Sequence, residues 1–383
     1  LKHLRGCVAP AANLGGEREE DKAKEIIKVL LKNRNLKTKK QIEEFLNPIN
    51  PYNLSPNSLG IKKAELNKGI RRIKKAITSN ENIIIYGDYD ADGICATAIM
   101  WETLHSLGAK AMPFIPHREK HGYGLNKKGI DGIIHKGVSL KDYPSLIITV
   151  DNGIVAHKAV DYANKKGINV IITDHHQPSH DLPKAHSIIQ STQTSGAGVA
   201  WFFAKEIYNS FHHAKRGNRH AQRDYKNLRG FKASNSLELA SIGTITDIMP
   251  MLGVNRSLVS FGLKELRKSN RPGIKALCSQ AGAEQKEISN YHIGFIIGPR
   301  LNAMGRLEDA TDSLRLLCTK DNKRADTLAF RLGTINRQRQ QLTKTTFEHA
   351  KRKSKVSKFI PRHMIYLLSW YNPGVIGLVA GKL

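Results

Sequence analysis

The sequence predicts an α/β fold: a mainly parallel sheet flanked by helices, followed by a helical region and one long polar helix. Three observations carry this. Apolar runs of strand length recur at 83–86 (IIIY), 146–150 (LIITV) and 168–174 (INVIITD). Such continuous β-branched runs mark strands covered on both faces. Helix-like segments separate them in a βαβ rhythm, which sends the strand ends to one edge of the sheet. Each run also stops at or just before an acid, and in open α/β sheets binding sites form beyond the strand C-termini.

Taken in order, residues 1–23 have no helical pattern and are expected to be disordered, whereas 24–35 and 39–46 read as helices. Leu66, Ile70, Ile73 and Ile77 recur at spacings of four, three and four, one face of a helix that leads into the first strand. Strand and helix alternate to about residue 190, and 196–320 reads as mainly helical. Residues 322–355 predict one long polar helix with Leu328, Leu332 and Ile335 on its buried side. At 383 residues the chain exceeds one ordinary domain.

The first strand empties into GDYDADG, with Asp88, Asp90 and Asp92 at alternate positions. On an extended segment these carboxylates would all point one way. They would repel one another unless a hard divalent cation such as Mg²⁺ or Mn²⁺ sat between them. A polar turn closed by Gly93 is the structural alternative for this motif alone. The second strand ends in Asp151, followed by Asn152-Gly153, and the third in Asp174, His175 and His176. Asp247 closes a further apolar stretch, ASIGTIT. A mixed Asp/His set of this size suits two adjacent divalent cations, the arrangement used for in-line displacement at phosphorus.

The motifs GDYDADG, VDNGI, TDHHQP, GTITDIMP and GPRLNAMGRL, in that order, resemble those of the DHH phosphoesterases. Within that superfamily they are similar to the RecJ family, the bacterial 5′ to 3′ exonucleases specific for single-stranded DNA. FLNP, HGYGLN and GAGVA belong to the same resemblance, which runs from about residue 24 to the end of the chain. It implies a DHH domain with its N-terminal helices over 24–320, a connector helix and linker over 321–358, and the start of a DHHA1 domain over 359–383. It implies that Asp90, Asp92, Asp151, His175 and Asp247 ligate two Mn²⁺ or Mg²⁺ ions, Asp151 as the bridge. Asp88, Asp174 and His176 would then be near ligands, orienting groups or substrate contacts, with His176, Asp151 and Asp174 as candidate catalytic residues. Arg300, Asn302 and Arg306, in GPRLNAMGR, would bind substrate, since the guanidinium fork suits phosphate.

The implied activity is metal-dependent hydrolysis of single-stranded DNA in recombination and repair. A single-strand-binding protein and a helicase are the candidate protein partners. The alternatives are a DHH phosphodiesterase acting on short oligoribonucleotides, and a non-catalytic scaffold that binds single-stranded DNA. The tail SWYNPGVIGLVAGKL resembles the opening of DHHA1, so a C-terminally truncated chain is expected, and truncation is an expected cause of inactivity. Two departures from the family pattern stand out, Gln190-Ser191 after the DHH strand and Asn372-Pro373 before the glycine turn.

Composition agrees with a nucleic-acid partner. The chain has 61 Lys+Arg against 33 Asp+Glu, a formal net charge of +28, which favours phosphate backbones in a salt-sensitive way. Residues 211–232 hold seven of the basic residues and only one acid, and read as an exposed loop that could track single-stranded DNA through Tyr225 and Phe231. Cys7, Cys95, Cys278 and Cys318 are dispersed, without zinc or disulfide spacing. No run approaches the ~20 apolar residues of a membrane helix, and no signal peptide is visible. A cytoplasmic protein that does not engage membranes is expected.

Overall fold

In the computed structural model, residues 16–134, 143–213, 236–356 and 370–383 are described. The chain divides into two units, Leu1–Ile49 and Asn50–Leu383. The first contains α1 (Gly16–Asn33) and α2 (Lys39–Leu46). Helix α1 starts eight residues before the expected 24, because the acid-rich opening GEREED favours a helix N-terminus. A capping box opens α2: Thr38 Oγ1 accepts from Gln41 N and Gln41 Oε1 accepts from Thr38 N.

The second unit opens with α3 (Lys63–Thr78) and continues through β1 (Asn82–Tyr86), α4 (Ala91–Ser106), β2 (Lys110–Phe114) and α5 (Lys127–Ile134). Next come β3 (Leu146–Val150), α6 (His157–Lys165), β4 (Asn169–Asp174), β5 (Ser187–Gln190) and α7 (Gly196–His213). All neighbouring strands are parallel, in the order β2-β1-β3-β4-β5. Side-chain alternation splits the strands between two cores. Ile83, Ile85, Leu146, Ile148, Val150, Ile171 and Ile189 pack on one face, in the larger core with α3, α4 and α7. Tyr86, Ile147, Val170 and Ile172 pack on the other, with α5 and α6. Both faces are therefore apolar, which is why the strands read as unbroken hydrophobic runs.

This strand order reverses direction between β1 and β3. Chain connections leave a crevice at such a reversal, beyond the strand C-termini. The register sets Tyr86 beside Thr149 and Val150 beside Thr173, so the residues that follow β1, β3 and β4 emerge together.

The remainder is helical: α8 (Leu237–Thr246), α9 (Gly253–Lys268), α10 (Pro272–Ala281) and α11 (Asn290–His292), which runs into a π-helical stretch, Ile293–Ile297. It ends with α12 (Gly298–Leu307), α13 (Thr311–Cys318), α14 (Asn322–Val356) and α15 (Pro373–Ala380). The long helix α14 buries Leu328, Leu332 and Ile335, as the sequence predicts. Residues 214–232 of the basic segment, 357–358 at the end of the expected linker and 359–369 of the expected DHHA1 start lie outside the described residues. No described helix is long and apolar enough to cross a membrane.

Candidate metal centre at the sheet edge

The three aspartates of GDYDADG do not share one extended segment, contrary to the alternation expected from their spacing. The chain turns helical at Ala91, because Asp90 is the N-cap of α4 and accepts from Gly93 N at 2.9 Å. Asp88 stays in the loop and Asp92 sits in the first helical turn, so the three carboxylates fan out. Asp247 also lies on a helix end, as the C-cap of α8. That helix is buried throughout, so its sequence reads as apolar as a buried strand does.

The fan nevertheless converges with the other strand ends. Asp88, Asp90 and Asp151 form one group of donors whose atoms lie within 4.8 Å of one another; Asp92, His175 and Asp247 form a second. Asp151, His175 and His176 form a third group that links the first two. His175 Nε2 is 3.1 Å from Asp151 Oδ1 and 3.9 Å from Asp92 Oδ2, while its Nδ1 is 3.6 Å from Asp247 Oδ2. Seven of the predicted residues thus form one linked cluster.

Asp151 is the most constrained of them. It is buried, its backbone lies in the left-handed region at φ 63°, and its Oδ1 has no hydrogen-bond partner despite the nearby imidazole. A β-carbon on Gly196 would stand 2.3 Å from that oxygen. Gly243 is constrained likewise, since its β-carbon would stand 2.2 Å from Asp92 Oδ1. Asp92 Oδ2 and Oδ1 accept from Gly196 N at 2.7 Å and Ala197 N at 3.0 Å, buried amides of the α7 N-terminus that have no partner within the helix.

The electrostatics follow from crowding. Burial and the neighbouring Asp90 push Asp88 up to about 7, and burial with Asp92 holds Asp151 well above the usual carboxylate range. Burial, then Asp90, raises Asp247 to about 6. Burial and the adjacent His176 lower His175 to about 4, which leaves its imidazole neutral at pH 7.

Asp174 is tied by hydrogen bonds to the backbone and side chain around it. Its Oδ1 accepts from His175 N, His176 N and His176 Nδ1, and its Oδ2 accepts from Ile154 N at 2.8 Å. Burial alone would raise it, but the bonds from His176 and Ile154 hold it below its ordinary value. The same bond raises His176 and turns its Nε2 toward Tyr123 Oη, 3.5 Å away. At the departure Gln190-Ser191, Gln190 Nε2 donates to His176 O and Ser191 Oγ to Leu59 O.

The three residues of GPRLNAMGR separate. Asn302 Oδ1 accepts from Ala91 N at 2.6 Å, so it fixes the start of α4 instead of facing solvent. Arg306 lies beside Asp90 and Arg118, and its Nη1 donates to Gly374 O. Arg300 is engaged elsewhere, by Gln280 Oε1 and Ile296 O, with Arg337 as its charged neighbour.

Sequence reasoning missed Arg118, whose guanidinium lies 4.3 Å over the Tyr89 ring and donates to Gly305 O. Arg118 and Arg306 lie near Asp88 and Asp90, and Arg339 lies beyond Arg306. Arg118 lies only three positions before HGYGLN, and that proximity was the available signal. Asn152 was likewise passed over as a turn residue. Its Nδ2 donates to Val150 O and Tyr86 O, and its Oδ1 accepts from Leu125 N, which ties the β1 and β3 ends to the HGYGLN loop.

Residues 82–228 match the model of the DHH family, N-terminal domain. The chain carries a DHH-family N-terminal domain. It is similar to the single-stranded-DNA-specific exonuclease RecJ of Bacillus subtilis, 36% identical over 321 residues. That match covers 82% of this chain and 37% of the Bacillus protein. RecJ of Escherichia coli is 29% identical over 94% of this chain and 61% of its own length. The chain therefore spans between about a third and three fifths of these relatives. Among solved structures, exonuclease RecJ bound to manganese superposes with a TM-score of 0.70 at 29% identity, covering 84% of this chain and 77% of that one. The Mn²⁺ complex of RecJ from Thermus thermophilus gives 0.70 at 27% identity, over 92% and 47%.

Proposed function

We propose that this chain carries the two-metal centre of a 5′ to 3′ exonuclease specific for single-stranded DNA, acting in recombination and repair. The observation that carries the reading is the pair of donor groups joined through Asp151 and His175, with Arg118 and Arg306 near Asp88 and Asp90. The donors fit divalent cations: five carboxylates and a neutral imidazole converge, and Asp151 Oδ1 is buried without a hydrogen-bond partner. Asp88, Asp90 and Asp151 would hold one Mn²⁺ or Mg²⁺, and Asp92, His175 and Asp247 the other, with Asp151 shared. When bound, such a pair activates water and neutralises charge at the leaving oxygen. The DHH-family relatives crystallised with Mn²⁺ support this assignment.

The rest of the chemistry belongs to the chain. Asp174 holds His176 in one orientation and favours its protonated form, so His176 can donate to a phosphate oxygen. Arg118 and Arg306 flank the acids and suit the phosphate next to the scissile bond. Asn302 and Asn152 keep the loops that carry Asp90 and Asp151 in place. A single-strand-binding protein or a helicase as partner, and a cytoplasmic location, belong to the same proposal.

The test offers a 5′-labelled single strand, a duplex and a dinucleotide to the protein in Mn²⁺. Preferential loss of the single strand is expected. Cleavage of the dinucleotide alone would move the assignment to a phosphodiesterase of short oligonucleotides. Gly196→Ala should weaken Mn²⁺ binding roughly ten- to a hundredfold with the fold retained, since the added methyl displaces Asp151. Calorimetric titration with Mn²⁺ reads this, and unchanged affinity would show that Asp151 does not depend on that space.

A further inference from the structure

We propose that Tyr291 and Phe295 form a stacking platform for the bases of a single strand whose phosphates meet Arg300 and Arg337. This deepens the nuclease reading and rests on it. The two rings are 62% and 73% exposed, among the most exposed large apolar side chains described. Their centroids are 5.1 Å apart with planes inclined by 30°, so they present a nearly continuous aromatic surface. Burial does not account for them: Ile293 and Ile297 anchor the same stretch from its other side.

Phe295 stands within the π-helical stretch Ile293–Ile297, and Tyr291 lies just before it. Such widened turns are uncommon and recur at functional sites. The stretch packs against the last turn of α8, with Gly294 against Ile245 and Gly298 against Thr246. Asp247 follows immediately, so the stretch that carries the platform packs on the segment leading into a residue of the metal centre.

Charge decides what covers the rings. Arg300 follows on the next helical turn, donates to Ile296 O and Gln280 Oε1, and is close enough to Arg337 for the two charges to repel. Arg337 is exposed on α14 and donates to Thr334 Oγ1. An apolar protein surface laid over the rings would strip water from two like charges without compensation. A single strand instead offers flat bases to the rings and phosphates to the guanidiniums, the combination used by strand-tracking grooves.

The test uses the full chain and the double variant Tyr291→Ala/Phe295→Ala. Affinity for a labelled (dT)20 strand should fall about tenfold or more by anisotropy, and KM for its cleavage should rise by the same factor. Cleavage of a thymidine dinucleotide should be unchanged. Tyr291→Phe/Phe295→Trp should restore binding, and Arg337→Ala should lower the salt slope of binding by about one counterion. Equal (dT)20 affinity in wild type and double variant overturns the platform while leaving the nuclease assignment intact. A wild-type protein that cleaves no strand fails that assignment, and the anisotropy comparison still decides the platform.

Discussion

Asp151→Asn is expected to abolish Mn²⁺-dependent strand cleavage, by on the order of a thousandfold or more, while raising the melting temperature of the metal-free protein. The two effects have one origin. Asp151 joins both donor groups, so its loss removes a shared ligand and several kcal/mol of charge stabilisation in the transition state. In the absence of metal the same carboxylate is buried among Asp88, Asp90, Asp92 and Asp174, which all raise its pKa. The neutral amide relieves that repulsion at nearly constant volume. A ligand at a hundred times its Kd stabilises a protein by ~2.7 kcal/mol, so the wild type should melt later in excess Mn²⁺ and the variant should not. Thermal melts with and without Mn²⁺ check this. A variant that keeps the full Mn²⁺ shift would show that Asp151 is not a ligand.

Arg271→Met is expected to destabilise the chain by about 3–5 kcal/mol without acting on the metal centre directly. Arg271 is the N-cap of α10, and its buried guanidinium reaches three other helices. It donates to Glu102 of α4, to Glu238 of α8 at 3.2 Å and to Leu317 O of α13 at 2.8 Å. Glu238 is almost wholly buried, and burial already pushes it up to about 7 despite the arginine. Removing the cation would strand two carboxylates in low dielectric. The combined change Arg271→Met/Glu102→Gln/Glu238→Gln should recover most of the loss, because no buried charge is then left unpaired. Urea unfolding measures both, and a loss below about 1 kcal/mol for the single variant would contradict the account.

The parallel sheet was legible because strands covered on both faces carry unbroken β-branched runs. Runs of that kind mark β1, β3 and β4. The outer strands β2 (KAMPF) and β5 (SIIQ) are short and mixed, and the sequence reading did not single them out. The ligand set was legible for a related reason: aspartates at strand ends have little else to do in a core. Their backbone geometry was not. DxDxD fits an extended segment and a capped helix equally well, and the choice depends on Asp90 reaching Gly93 N, a contact set by three-dimensional placement. Asn302 and Asp174 sit in site motifs, but the partners they take, Ala91 N for the first and Ile154 N, His175 N and both His176 nitrogens (N and Nδ1) for the second, are set only by folding. Arg118 escaped because a lone arginine in a loop carries no periodicity. Gly196 and Gly243 matter through what lies across from them, information that exists only after folding.

The central claim is that six side chains from separate strand and helix ends hold two divalent cations in one pocket. Anomalous diffraction at the manganese edge, from crystals of this chain grown in MnCl₂, tests it directly. Two peaks are predicted, one bounded by Asp88, Asp90 and Asp151 and the other by Asp92, His175 and Asp247. No peak among these residues, or peaks only at surface carboxylates elsewhere, would contradict the account.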